Sequence, residues 1–167
     1  LRQRVSAINA FLYDIYHSQE IIKAGRIPRQ MVSNNKAFLP QMLRHTPPGS
    51  IYTHISGIDL VRTGNDDFYV LEDNVRTPSG VSYMLENRET MLHMFPELFT
   101  KNKVQPVENY PSDLLRTLIS SAPDGSDGTP TVAVLTPGIY NSAYYEHAFL
   151  ADQMGVELVE ASDLSVV

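Results

Sequence analysis

Residues 131–160 constrain the fold more than any other stretch. TVAVLTPG is an apolar run ending in a glycine turn, and NSAYYEHAFLADQM carries a helical pattern. Gly155 then supplies a helix stop, and VELVEA is a second strand-like run. Strand, helix and strand within about thirty residues predict a βαβ unit, because one crossover helix between two paired strands leaves them parallel. The turn Pro137-Gly138-Ile139-Tyr140-Asn141-Ser142 then falls at the C-terminal end of a parallel strand, where open α/β sheets bind ligands.

The grammar is different upstream. APDGSDGTP, residues 122–130, is the strongest linker in the chain. Before it, residues 1–24 space Val5, Ile8, Phe11, Leu12, Ile15 and Ile22 as a helix that Gly25 stops, and a shorter helix is expected near Pro28. TPPGS at 46–50 is a break. Two strand-like runs follow, 51–61 and 68–75, joined by TGNDD, which is good hairpin chemistry. Residues 80–95 read as a helix with Tyr83, Met84, Met91, Leu92 and Phe95 on its apolar side, ended by Pro96. A further helix is expected from Pro111.

The second hairpin strand ends in an unusual way. YVLEDNVRTPSG runs from apolar residues into Glu72, Asp73 and Asn74, then into a loop opened by Arg76. Strand residues two apart share a face, so Glu72 and Asn74 point together and Asp73 alternates away. Centring the turn between Asn65 and Asp66 sets Asp59 directly opposite Glu72. Two carboxylates and an amide oxygen then converge on one patch, where a divalent cation relieves their repulsion. Oxygen-only donors suit Mg²⁺ or Mn²⁺ better than zinc, and Mg²⁺ held by few protein groups shares its other positions with water and nucleotide phosphates. Arg76, before a turn that leads into a helix start, suits an anion such as phosphate. The plainer alternative is a polar strand end followed by a capped helix. Asp59 inside ISGIDLV argues against it, since an acid buried in an apolar strand needs a partner.

Composition bounds the rest. The 167 residues are 43% apolar and 19% charged, enough for one compact domain or two small halves. The net charge of −6 and the lack of a basic stripe point away from nucleic acid. Without cysteine there are no disulfides, no Cys-based zinc site and no thiol nucleophile, and a reducing cytoplasm is the easiest location. No apolar run approaches the ~20 residues of a membrane helix, so no membrane partner is expected. LRQRVSAINAFL has no signal-peptide layout and no starting Met, and the chain stops at SDLSVV, so a piece of a longer protein is expected.

Two long blocks carry a family resemblance. GIDLVRTGNDDFYVLEDNVRTPSG resembles the metal-binding hairpin of the ATP-grasp ligases. EDNVRTPSGVSYMLENR and LTPGIYNSAYYEHAFLADQMGVELVEASDL are together similar to the circularly permuted ATP-grasp proteins of type 2, related to glutathionylspermidine synthase-like carboxylate–amine ligases. The resemblance implies an α/β chain in which residues 1–121 are an ATP-grasp C-terminal-type portion, 122–130 a linker, and 131–167 the start of a Rossmann-like pre-ATP-grasp domain. It implies Mg²⁺ or Mn²⁺ on Asp59, Glu72 and Asn74, with ATP as co-substrate. Arg76 becomes the residue that neutralises the transferring phosphoryl group, and Thr77, Ser79 and Gly80 shape the loop against substrate by backbone contact. The implied partners are ATP and small carboxylate and amine substrates, peptides included, joined through an acyl-phosphate. Conventional members often carry Arg two residues before the metal-binding Asp, where this chain has Gly57. The lysines that grip ATP are expected beyond residue 167, so this portion is not expected to turn over alone. A catalytically silent scaffold and a Mg²⁺-dependent phosphohydrolase remain the alternatives.

Other residues are weaker candidates. In the 137–142 turn, Gly138, Tyr140, Asn141 and Ser142 are possible substrate contacts, with helix capping favoured for Asn141 or Ser142. Tyr140, Tyr144 and Tyr145 could flank a ligand but read as helix packing, and Glu86, Asn87 and Arg88 read as a solvated i to i+4 network, with reach into the site the alternative for Arg88. The five histidines form no metal-ligand pair and read as solvent-facing or structural, with His54 on the hairpin face away from Asp59.

Overall fold

The computed structural model describes residues 1–64, 66–123 and 128–165. The chain is α/β, built from helices and two small sheets, and divides into two compact units, Leu1–Pro78 and Ser79–Val167. The predicted linker at 122–130 lies within the second unit, and its residues 124–127 fall outside the described residues.

In the first unit, α1 spans Arg2–Tyr16, α2 Glu20–Lys23 and α3 Arg29–Ser33. The single helix expected over 1–24 is broken because Gln19 adopts a left-handed φ of 56°. Asp14 repairs the break: its carboxylate accepts from the Glu20 and Ile21 N–H groups and the Ser18 hydroxyl. Those donors hold its carboxyl below the usual range, the Ile21 N–H contributing most. Tyr16 is buried and stacks with Phe38 and Tyr52. Asn9, half-buried in α1, accepts from Tyr52 N–H at 2.7 Å and Thr53 N–H at 3.2 Å, and so fixes the segment that leads into the hairpin.

The hairpin is β1, Gly57–Arg62, antiparallel to β2, Phe68–Asn74. Residues 51–56, read from sequence as strand, are not strand, and His54 lies outside the ladder. Near the turn Arg62 pairs with Phe68, and the Thr63 N–H donates to Asp67 O at 3.1 Å. The predicted turn centre includes Asn65, which is outside the described residues.

In the second unit, α4 spans Val81–Met94, α5 Pro96–Asn102 and α6 Tyr110–Ile119. Pro96 ends α4 as expected but also opens α5, since its fixed φ and missing N–H suit a first helical turn. β3 (Ala133–Leu135) and β4 (Glu157–Val159) pair in parallel around α7 (Tyr144–Met154), which is the predicted βαβ unit. Gly155 takes φ 68° as the left-handed residue after α7. The core here includes Leu114, Ala151 and Met154. The apolar side predicted for α4 is not buried: Tyr83 is 51% exposed and Met91 44%, while Ser82 is fully enclosed.

Candidate functional site

The register puts Asp59 opposite Glu72 and Gly57 opposite Asn74. Directly opposed residues share a face with Cβ atoms about 4.5–5.5 Å apart, so Asp59, Glu72 and Asn74 lie together on one face of the first unit. The route to that pairing differs from the expected regular ladder. Leu60 pairs with Val70, so Leu71 is an extra residue in a β-bulge. A regular strand would set Val70 on the face of Glu72. The bulge instead places Tyr69, opposite Val61, on that face and sends Val70 to the other side with Ile58 and Asp73. Those three are half-buried, whereas Asp59, Glu72, Asn74 and Tyr69 are exposed. Tyr69 thus shares the face of Asp59, Glu72 and Asn74, which regular alternation hides.

Exposure corrects one sequence argument. Asp59 faces solvent, so burial does not compel it to find a partner. Its isolation is nevertheless informative. Among the described residues, Asp59, Glu72, Asn74 and Arg76 make no side-chain hydrogen bond or ion pair. Asp73, on the other face, accepts from Arg4 Nε at 2.6 Å and 2.8 Å and forms an ion pair with it. That hydrogen bond holds the Asp73 carboxyl below its usual range and raises the Arg4 guanidinium.

Gly57 explains why this chain lacks the family arginine. A Cβ built there would sit 2.8 Å from Pro78 Cβ and 3.6 Å from Asn74 Cβ. Pro78 therefore folds back over the hairpin face that carries the two carboxylates, a position no larger residue at 57 would allow. Three oxygen-bearing side chains on one exposed face, with no ion pair among the described residues, fit a hard divalent ion sharing its coordination with water and phosphate. No group of three His, Cys, Asp or Glu side chains gathers among the described residues, and the hairpin face itself offers two carboxylates and an amide.

The second unit holds the residues from Ser79 onward. Gly80 is the residue before α4, with φ 102° and no local side-chain cap. Its N–H donates to Glu146, at 2.8 Å from Oε1 and 2.7 Å from Oε2. Ser82 adds its N–H at 3.1 Å and its hydroxyl at 2.8 Å. The helix end read from sequence as favouring an external anion thus has these donors taken by a carboxylate of this chain, and the Gly80 N–H is not free for substrate. Glu146 is only 6% exposed. Burial pushes its carboxyl up, but the Gly80 and Ser82 donors and the neighbouring His147 outweigh that and hold it below its usual range.

In the β3–α7 turn, Gly138 is buried with φ 100°, and its N–H donates to Thr136 Oγ1 at 3.2 Å. The same hydroxyl lies 2.9 Å from His147 Nδ1. Asn141 Oδ1 accepts from the Ala143 N–H at 2.9 Å, which stiffens the turn, but α7 itself has no side-chain cap. Ser142 makes no side-chain hydrogen bond among the described residues, and Tyr140 is 98% exposed, which overturns its reading as a packing residue because the turn projects it into solvent. Tyr145 packs against Tyr83 and Phe149 as expected. Arg88 donates to Gln105 O at 2.8 Å and lies over Phe99, so it is a structural residue and not part of a solvated network.

The model of the family described as circularly permuted ATP-grasp type 2 matches residues 1–167. An uncharacterized protein of Synechocystis sp. is 52% identical over 166 residues, 99% of this chain and 34% of that protein. An uncharacterized protein of Mycobacterium tuberculosis is 52% identical over 164 residues, 98% of this chain and 30% of that one. A Frankia casuarinae protein named "Putative glutamate--cysteine ligase 2-2" is 42% identical over 166 residues, 99% of this chain and 19% of that protein. The chain spans about a third of the length of the first two relatives. Its whole length answers to one family, and it belongs to the circularly permuted ATP-grasp proteins of type 2.

Proposed function

We propose that the full-length protein is an ATP- and Mg²⁺-dependent carboxylate–amine ligase acting through an acyl-phosphate. The observation that carries this reading is the hairpin face, where Asp59, Glu72 and Asn74 stand together with no side-chain partner among the described residues. Family membership and two relatives whose names read "Putative glutamate--cysteine ligase" support it. In this reading residues 1–121 contribute the metal edge of the ATP-grasp fold and 131–167 begin the Rossmann-like domain, joined by 122–130.

Asp59, Glu72 and Asn74 hold the ion, and Asp73, consumed by Arg4, does not. Mg²⁺ held by these residues would supply a counter-charge to the phosphate groups of ATP. Arg76 places a permanent guanidinium where that charge develops. Thr77 and Ser79 line the loop through their backbone, and the packing of Pro78 on Gly57 keeps the segment after Arg76 against the hairpin. Gly138, Tyr140, Asn141 and Ser142 form a second surface for the acid or the amine.

The test is ADP release by the full-length protein from Mg-ATP with mixed amino-acid and polyamine pools, alongside Mn²⁺ binding, for wild type and Glu72→Gln. Release that requires both acid and amine, with release and Mn²⁺ binding lost in the variant, is the expected result. Release without an amine points to a phosphohydrolase. Nucleotide binding without release points to a scaffold.

A further inference from the structure

Glu146 is the one buried charged residue among the described residues, and the sequence neighbour that follows it is bonded in another direction. Successive helix residues project about 100° apart, so two adjacent side chains on α7 can serve two different neighbours. Glu146 takes the Gly80 and Ser82 donors at the start of α4. His147 meets Thr136 Oγ1, which in turn accepts the Gly138 N–H in the β3–α7 turn. Thr136 is itself buried and fixed through its own N–H to Val159 O at 2.8 Å.

A helix start is ordinarily capped by a Ser, Thr, Asp or Asn beside it. Here Gly80 leaves that position without a side chain, and the acceptor comes from 66 residues away at the cost of burying a carboxylate. A local cap would satisfy the same N–H groups with no such desolvation. What the remote cap adds is a fixed distance between two backbone segments.

We propose that Glu146 and His147 are a positioning pair: they hold the Ser79–Gly80 loop end and the Pro137–Ser142 turn at one spacing, so that the two segments present a single preformed surface to the acid or amine substrate. The identity of that ligand rests on the ligase reading, whereas the mechanical link does not. Neither side chain needs to touch substrate. Gly138 holds φ 100°, a left-handed conformation that an L side chain rarely adopts, so glycine is the residue that suits this turn.

The test compares Glu146→Gln, His147→Leu and His147→Asn in the full-length protein by backbone hydrogen exchange at 79–83 and 136–139, with steady-state kinetics alongside. Loss of a charge-assisted bond predicts faster exchange at the directly bonded segment by roughly tenfold or more. A positioning pair further predicts that Glu146→Gln loosens Gly138 and that His147→Leu loosens Gly80. It predicts that His147→Asn, which keeps a polar atom near the Nδ1 position, restores both. KM for the acid or amine then rises in Glu146→Gln and His147→Leu, while Mn²⁺ affinity at the hairpin stays at the wild-type value. Exchange that changes only at each residue's own partner, with KM unmoved, overturns the proposal and leaves two independent caps. If wild type releases no ADP, the ligase reading fails while the exchange data still decide whether the two segments are linked.

Discussion

Two groups of acids divide the molecule. On the hairpin, Asp59 and Glu72 are exposed and make no side-chain bond among the described residues, whereas in the second unit Glu146 is buried and accepts four hydrogen bonds. Asp73 adjoins Glu72 in sequence yet belongs with Glu146, because Arg4 has already taken it. An acid engaged by the protein holds a structure together. One that the protein leaves alone on a shared face is available to a cation. Residue type does not separate the two roles; the partner does.

That division can be broken by neutralising one acid of each kind. Glu146→Gln puts an amide NH₂ against N–H donors inside the fold and is expected to cost about 2–3 kcal/mol. Glu72→Gln is expected to stay within about 0.5 kcal/mol of wild type in the metal-free protein, as a surface change that removes no contact. Urea denaturation of both full-length variants reads the difference, and equal losses would erase the distinction.

Gly57→Ala tests whether the free acids depend on the chain folding back over them. With Pro78 Cβ 2.8 Å from the new methyl, overpacking is expected to cost about 1–3 kcal/mol. The displaced segment should weaken Mn²⁺ binding too, although no ligand has changed. Calorimetric titration with Mn²⁺ checks this, and an unchanged affinity would detach the 76–78 segment from the site.

The smallest effect belongs to Asp73. Arg4 holds its carboxyl below the ordinary value, so near pH 4 the unfolded chain binds more protons there than the native one. Its contribution is therefore complete above the unfolded pKa and disappears as pH falls through the lower folded one. Stability of wild type minus Asp73→Asn, followed from pH 6 downward to about pH 2, should shrink towards acid. A flat difference would mean that the Arg4 pair contributes nothing.

Much of this was readable before the structure, for reasons that can be stated. Asp59 opposite Glu72 follows from turn composition and strand period, and the βαβ unit from apolar runs flanking a helical pattern. The bulge at Leu71 was not readable, because a regular ladder with an even turn and a bulged ladder with an odd one give the same pairing at Asp59. Residues 51–56 looked like strand because Ile51, Tyr52 and Ile55 favour one, but Asn9 claims the backbone there instead. The local pattern around Glu146 is that of any helix acid, since its partners lie 64 and 66 residues away. One signal did exist: a glycine stands immediately before the helix, where a capping side chain is expected, so the acceptor had to come from elsewhere.

The bulge also says where hairpins of this kind can change length over evolution. Losing Leu71 would leave Val70 opposite Leu60 and Glu72 opposite Asp59, so both halves of the strand would keep their faces. Losing Asp73 would instead turn Asn74 away from Glu72. In an alignment of related hairpins, a one-residue gap at the first position is silent for the face of Asp59, Glu72 and Asn74, and the same gap two residues later breaks that face up.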